Sequence, residues 1–395
     1  MGHAPTLEPS PDASGTTGPP DLGIVMTGGG ARAAYQVGFL RCVARRFPKL
    51  RIPYITGISA GAINAAHLAS HPGTLLQAVQ ELSDLWCNVT IGDVFRTDTL
   101  SLARNALNWL RQLTSGGTST RPLGRALMDT DPLRAYLTEV LHTEGGVLPG
   151  VRHNLDHGRI KALAISTTSY STGRSVVWIQ GGEVKLWNRP QREPREATIT
   201  VDHIMASAAL PLFFPAVEIG GAWYGDGGMR LLTPLSPAVH LGARSIIAIS
   251  TRYNASVAEA AVHTIQGYPP PVQVMGMLMN SVFLDTLDYA VFQLQRLNRL
   301  IGEVPVEKRE GLEPVRLLTL RPSADLGRLA TQFEAHLPRP LRFFARGLGT
   351  KETRSSDFLS LILFHPDYLS ALIEMGEKDA EARADEIESF LSGEG

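Results

Sequence analysis

The reading of this chain turns on LGIVMTGGGARAAYQVGFL, residues 22–40. A short apolar run, three consecutive glycines, one arginine and a helix-like series of small residues follow without a break. This is the pattern of a buried strand feeding a helix through a glycine turn. Such a turn presents unpaired backbone N–H groups at a helix start, where the helix dipole favours negative charge. Gly28-Gly29-Gly30-Ala31-Arg32-Ala33 satisfies the G-x-G-x-x-G/A dinucleotide fingerprint, but that motif also needs an acid about 20 residues on for the ribose hydroxyl. After Asp21 the next acidic residue is Glu81, so nothing fills that role. No Gly-Lys-Ser/Thr follows at P-loop spacing either. The same donors suit an oxyanion, a charge that exists only during a reaction.

An oxyanion needs a nucleophile, and Gly57-Ile58-Ser59-Ala60-Gly61 supplies a candidate. Strand-like YIT precedes this G-x-S-x-G sequence and helix-like AINAAHLAS follows it. In that frame the serine sits on a sharp strand-to-helix turn, its hydroxyl at a helix N-terminus. The bland alternative is a small-residue turn packing against a sheet. Serine needs a base, and none of the 11 histidines sits in a persuasive frame. His67 lies along the helix that follows Ser59, His203 reads equally as a core residue, and His240 reads as helix packing. Asp226, in GAWYGDGGM with Gly227 and Gly228, is the other candidate; by local sequence it is equally a plain Asx turn.

Working outward, strand-like runs (YITGIS, IKALAISTTSY, SVVWIQ, ARSIIAISTR) alternate with helix-like ones (AGAINAAHLAS, HIMASAAL). This predicts an α/β layered domain around a largely parallel sheet. Residues 1–20 are rich in proline, serine, threonine and glycine and lack an apolar core, so they read as a disordered leader rather than a signal peptide. The catalytic region is expected over 21–252 and a mainly helical region, cap or packing extension, over 253–395. There, Val274, Leu278, Val282, Phe283, Leu287 and Val291 form a helical stripe that reads as core. Met275, Met277 and Met279 read alternatively as an adaptable channel lining. TSGGTSTRP (residues 114–122) reads as a mobile excursion, and EMGEKDAEARADEIESFL as one charged terminal helix.

The chain is 44% hydrophobic and 19% charged with a net charge of -1, which gives no case for a nucleic-acid partner. Arg32, Arg41, Arg45, Arg46, Lys49 and Arg51 fall in an acid-free stretch, read as a solvated helix face in preference to a lipid-headgroup patch. With only Cys42 and Cys87 there is no disulfide framework and no metal spacing. A reduced, cytoplasmic setting is expected, with any membrane contact peripheral and no spanning segment.

GGGARAAYQVG, GISAG and DGG, in that order, resemble the patatin-like phospholipase family; ASAALPLFFPAV, DTDPLRAYL and TPLSPAVHLGARSIIAIS look like its bacterial members. The resemblance implies a three-layer α/β/α fold and Ca²⁺-independent cleavage of phospholipid or other lipid acyl esters by a Ser–Asp dyad without histidine or cofactor. Carried onto this chain, Ser59 is the nucleophile and Asp226 its base. The N–H groups of Gly28, Gly29 and Gly30 form the oxyanion hole, supported by Arg32. Ala33 departs from the glycine common at that position in the family. Competing readings are an acyl carrier protein transacylase, an α/β-hydrolase pairing Asp226 with His240, His336 or His365, acyl transfer at the same site, and a lipid-binding protein without turnover.

Overall fold

The computed structural model describes residues 6–10, 13–96, 126–182, 189–261, 268, 274, 277–281, 286–339, 341–342 and 357–393. The TSGGTSTRP stretch, Met275, Val282 and Phe283 lie outside the described residues. The elements that position the site are β1 (Leu22–Met26), α1 (Ala34–Arg46), β2 (Tyr54–Ile58), α2 (Ala60–Ser70), α3 (Leu75–Asn88) and α4 (Asp131–Val140). They continue with β3 (Ala162–Ser169), β4 (Ser175–Gly181), β5 (Arg192–Glu196), α5 (Val201–Ser207), β6 (Val217–Ile219), β7 (Ala222–Asp226), α6 (Ser236–Leu241) and β8 (Ser245–Ile249). After residue 252 come α7 (Thr286–Glu303), β9 (Arg316–Leu320), α8 (Asp357–Ile362), α9 (Pro366–Glu381) and α10 (Ala384–Ser392).

The sheet has nine strands, its main path running β5-β4-β3-β2-β1-β8-β9. Its centre, β3-β2-β1-β8-β9, is parallel throughout. β7 joins β3 antiparallel, opposing Asp226 to Thr167. The central strands are buried on both faces, hence their continuous apolar runs. Ile24, Met26, Ile55 and Ile247 point to the layer built by α1, α2 and α3. Their neighbours Val25, Tyr54, Ile246 and Ala248 point to the opposite layer, where α6 and α7 supply Ala238, Leu287 and Val291. The architecture is a three-layer α/β/α sandwich with a mainly parallel sheet. No helix among the described residues is long and apolar enough to cross a membrane.

The described residues beyond 252 are mostly helical, but they also supply β9, a strand the sequence pattern did not reveal. Leu287 and Val291 are buried, whereas Val274, Met277 and Leu278 are exposed. The described part of the stripe is therefore core only at its α7 end. The terminal helix breaks at Ala382–Arg383 into α9 and α10.

The basic face of α1 is neither solvated nor free for lipid. Arg41 and Arg45 pair with Glu377 at 3.1 and 2.6 Å, and Arg46 pairs with Glu381 at 3.5 Å. α9 reaches α1 because glycines face each other at the crossing: a Cβ on Gly38 would overlap the Ile373 carbonyl, and one on Gly376 the Tyr35 carbonyl. Residues 6–10 and 13–20, read as a disordered leader, run beside the end of α1. The N–H groups of Ser10 and Ser14 donate to the carbonyls of Arg45 and Arg46 at 2.9 and 2.7 Å. These carbonyls lie in the last turn, where a helix has no internal donors.

Candidate active site

Ser59 joins β2 to α2 with φ 55° and ψ −134°, a left-handed conformation that a residue with a Cβ adopts only at a cost. The surroundings hold it there. Its N–H donates to Ser207 Oγ at 3.0 Å, and that hydroxyl donates onward to the Ser166 carbonyl at 2.7 Å. Gly57 and Gly61 flank the turn, and both are packed against backbone: a Cβ on Gly61 would lie 2.6 Å from the Thr27 carbonyl. Ser59 Oγ donates to Asp226 Oδ2 at 2.6 Å.

Asp226 ends β7 and has no exposed surface. Its Oδ1 accepts the N–H of Gly228 at 2.8 Å, and its carbonyl accepts the Thr168 hydroxyl at 2.8 Å. Gly227 packs so closely on the Ser166 carbonyl that no side chain fits there. Burial without a cationic partner lifts the Asp226 carboxyl to about 7, and the bonds from Ser59 and Gly228 only partly oppose that rise. A carboxylate with that pKa takes a hydroxyl proton near neutrality far better than an ordinary aspartate does.

The glycine loop shows how its donors are aimed. In a trans peptide the C=O and the following N–H point in opposite directions. Each carbonyl of the loop has a donor of its own. Gln36 Nε2 donates to Thr27 O at 2.7 Å, Thr251 Oγ1 to Gly28 O at 2.6 Å and Arg32 N to Gly29 O at 3.1 Å. The N–H groups of Gly28, Gly29 and Gly30 are turned the other way, and no acceptor among the described residues is bonded to them. Gly28 faces Ser59 so closely that a Cβ on it would lie 2.7 Å from Ser59 Cβ.

Arg32 is the correction to the sequence-based expectation. Its guanidinium is buried but engages α8: Nε donates to Ser360 Oγ at 2.6 Å and Nη2 to Asp357 Oδ1 at 2.7 Å. This clamp brings the Leu361 carbonyl against Gly30, where any Cβ would overlap it. Arg32 therefore acts on the loop by fixing what packs against it.

No histidine among the described residues is hydrogen-bonded to Ser59 or Asp226. His67 Nε2 meets the Ala78 carbonyl at 2.9 Å, and His203 Nδ1 meets the Thr200 hydroxyl at 2.8 Å while its ring packs on Trp178. His240 is lowered to about 4 by burial and by Arg189 and Arg192. His336 and His365 lie ring against ring at 4.5 Å beside Asp367. The supports that local sequence did not mark are Gln36, Thr251 and Ser207. Gln36 is itself held in a buried relay, accepting from Asn64 at 2.9 Å, while Asn64 accepts from Trp86 Nε1 at 2.8 Å. Gln36 lies on α1 and Asn64 on α2, so no spacing connects them.

A narrow apolar cavity opens on Ser59, Gly29 and Gly30, walled by Ala208, Leu210 and Phe214. Met277 and Met279 are not part of its wall.

A family model described as Patatin-like phospholipase matches residues 24–239, more than half of the chain. No curated protein matches it. Among solved structures, it is similar to human GIVD cytosolic phospholipase A2 at 13% identity and a TM-score of 0.47, covering 94% of this chain and 60% of that one. The same human protein in complex with methyl gamma-linolenyl fluorophosphonate gives 14% and 0.45, covering 94% and 59%. VipD from Legionella pneumophila gives 12% and 0.32, covering 90% and 67%. The chain thus spans about six tenths of the length of the human structures.

Proposed function

The chain belongs to the patatin-like phospholipase family, and from that premise we propose that it is a lipid acyl hydrolase working through a Ser59–Asp226 dyad. The observation that carries this reading is the 2.6 Å bond from a strained, nearly buried serine to a fully buried carboxylate without a cation. The substrate class is a phospholipid or related acyl ester, met at a membrane surface by peripheral contact.

The geometry supports one sequence of steps. The ester carbonyl carbon sits over Ser59 Oγ with its oxygen toward Gly28–Gly30. As the Oγ–C bond forms, Asp226 Oδ2 takes the hydroxyl proton and the carbonyl electrons become an oxyanion held by the loop N–H groups. Removing one such donor costs about 3 kcal/mol of barrier. Collapse of the oxyanion expels the alcohol, which takes the proton from Asp226, and leaves an acyl-Ser59 ester. Asp226 then deprotonates a water that attacks this ester. Its collapse returns the proton to Ser59 Oγ and releases the fatty acid.

Mass spectrometry of mixed phospholipid vesicles incubated with wild type and with Ser59→Ala tests the assignment. The expected result is free fatty acid and lysolipid from wild type alone. Equal products from both proteins would remove Ser59 from the reaction, and no product from either across several lipid classes would favour binding without turnover.

A further inference from the structure

A second apolar cavity adjoins the one that opens on Ser59. It is bounded by α2, α3 and α4, with Leu82, Leu85, Trp86, Leu137, Val140 and Leu141 on its wall. Among the described residues, Ile63, Val94, Leu133 and Phe364 line both cavities and form the wall they share. The polar groups on the second cavity's wall bond within the protein. Tyr136 OH donates to the Leu85 carbonyl at 3.1 Å, and His67 Nε2 meets the Ala78 carbonyl. Burial lowers the His67 imidazole to about 4, so it is neutral at physiological pH. Walls this apolar, with no charged group among them, suit hydrocarbon.

The four shared residues are not equivalent. Ile63, Val94 and Leu133 belong to helices, where the preceding turn restricts the χ1 rotamers, most strongly for the β-branched pair. Phe364 lies in the non-helical link between α8 and α9. Its ring lies against Trp86, with centroids 6.4 Å apart and planes 20° from parallel. It is also the only one of the four outside residues 24–239, the span that the family model matches.

Resting on the lipid acyl hydrolase reading, we propose that the two cavities are chambers of one acyl channel and that Phe364 is the partition setting the preferred chain length. With the ring in place, the first chamber receives the carbons nearest the scissile carbonyl. Longer chains must turn the ring aside to enter the second. Each further methylene buried there raises affinity about fourfold, so the partition acts on long chains and leaves short ones almost untouched.

The test is the ratio of kcat/KM for C14 over C4 p-nitrophenyl esters, with Ser59→Ala as background. Phe364→Ala is expected to raise the ratio ~10-fold, and Leu137→Phe, which fills the second chamber, to lower it ~10-fold, each equal to two or fewer methylenes of contact. Phe364→Leu, with the melting transition followed alongside, is the milder variant should Phe364→Ala fold poorly. A Ser59-dependent activity whose chain-length ratio stays within twofold of wild type in both folded variants overturns the partition alone. No Ser59-dependent activity at any length overturns the hydrolase reading and the partition with it.

Discussion

Two carboxylates, one fully buried and one half-buried, lie on either side of the glycine loop. On one side Asp226 has no cation among its hydrogen-bond partners, only a serine hydroxyl and a backbone N–H. On the other, Asp357 meets the Arg32 guanidinium at 2.7 Å, with Ser360 held by the same arginine. The Asp226 arrangement leaves a carboxyl poised to exchange a proton near neutrality. The Asp357 arrangement fixes α8 against Gly30 and performs no chemistry. Burial and the lack of a compensating charge together separate the Asp226 carboxyl from that of Asp357.

The largest effects that test this contrast are on turnover. Ser59→Ala and Asp226→Asn should each reduce kcat by ~10⁴-fold, the loss expected when one member of a nucleophile–base unit is removed. Asp357→Asn should retain most of the activity of whatever protein remains folded. Esterase assays normalised to folded protein check both; if Asp226→Asn kept full activity, the dyad would be lost. Next comes the loop itself. Gly28→Ala places a Cβ 2.7 Å from that of Ser59, which forces loop and nucleophile apart. It should cost ~10²- to 10³-fold in kcat, the magnitude of a lost oxyanion donor, with little change in KM.

On the structural side, Arg32→Met should act on stability first. It leaves Asp357 without its cation, with Asn280 Nδ2 still donating to its Oδ2 at 2.6 Å, while the apolar stem still packs. A destabilisation of about 2–3 kcal/mol is expected, below the range for breaking a fully buried pair because Asp357 is 31% exposed. Urea denaturation at pH 7 measures it. A kcat loss as large as that of Gly28→Ala, without loss of stability, would return Arg32 to the oxyanion hole and break the contrast.

The contrast also marks what the sequence discloses. The Ser59 elbow and the glycine loop are contiguous signals, because a strand–turn–helix with obligatory glycines is written within one window. Asp226 is local only as an Asp-Gly turn; its pairing with Ser59 comes from β7 adding to β3, and it was legible through family resemblance alone. The Arg32–Asp357 clamp and the match of Arg41, Arg45 and Arg46 to Glu377 and Glu381 join residues more than 300 positions apart. Both partners of such a pair look like ordinary solvated charge until the fold brings them together. β9 escaped for a related reason: its place in the sheet comes from pairing with β8, Ser245 with Arg316, far apart in the chain.

Stability sharpens the contrast further, because Asp226 makes it depend on pH. Folded Asp226 keeps its proton up to about 7, whereas in the unfolded chain it releases it near 4. Between those values the folded state binds more protons than the unfolded one. Its contribution to stability therefore falls as pH rises through that window, by on the order of 1 kcal/mol per unit, and is level above it. Asparagine at 226 is neutral throughout, still accepts from Gly228 N–H and can donate to Ser59 Oγ. The stability gained by Asp226→Asn should accordingly grow from pH 4 to 7 and then stay constant. Asp357→Asn removes a carboxylate from a guanidinium and should destabilise at pH 7 and 8. Urea midpoints at pH 7 should place the two variants on opposite sides of wild type, and the gap between Asp226→Asn and wild type, followed from pH 4 to 8, should widen up to pH 7. Parallel curves for wild type and Asp226→Asn would mean that Asp226 holds no proton near neutrality, and its role as the base would lose its physical ground.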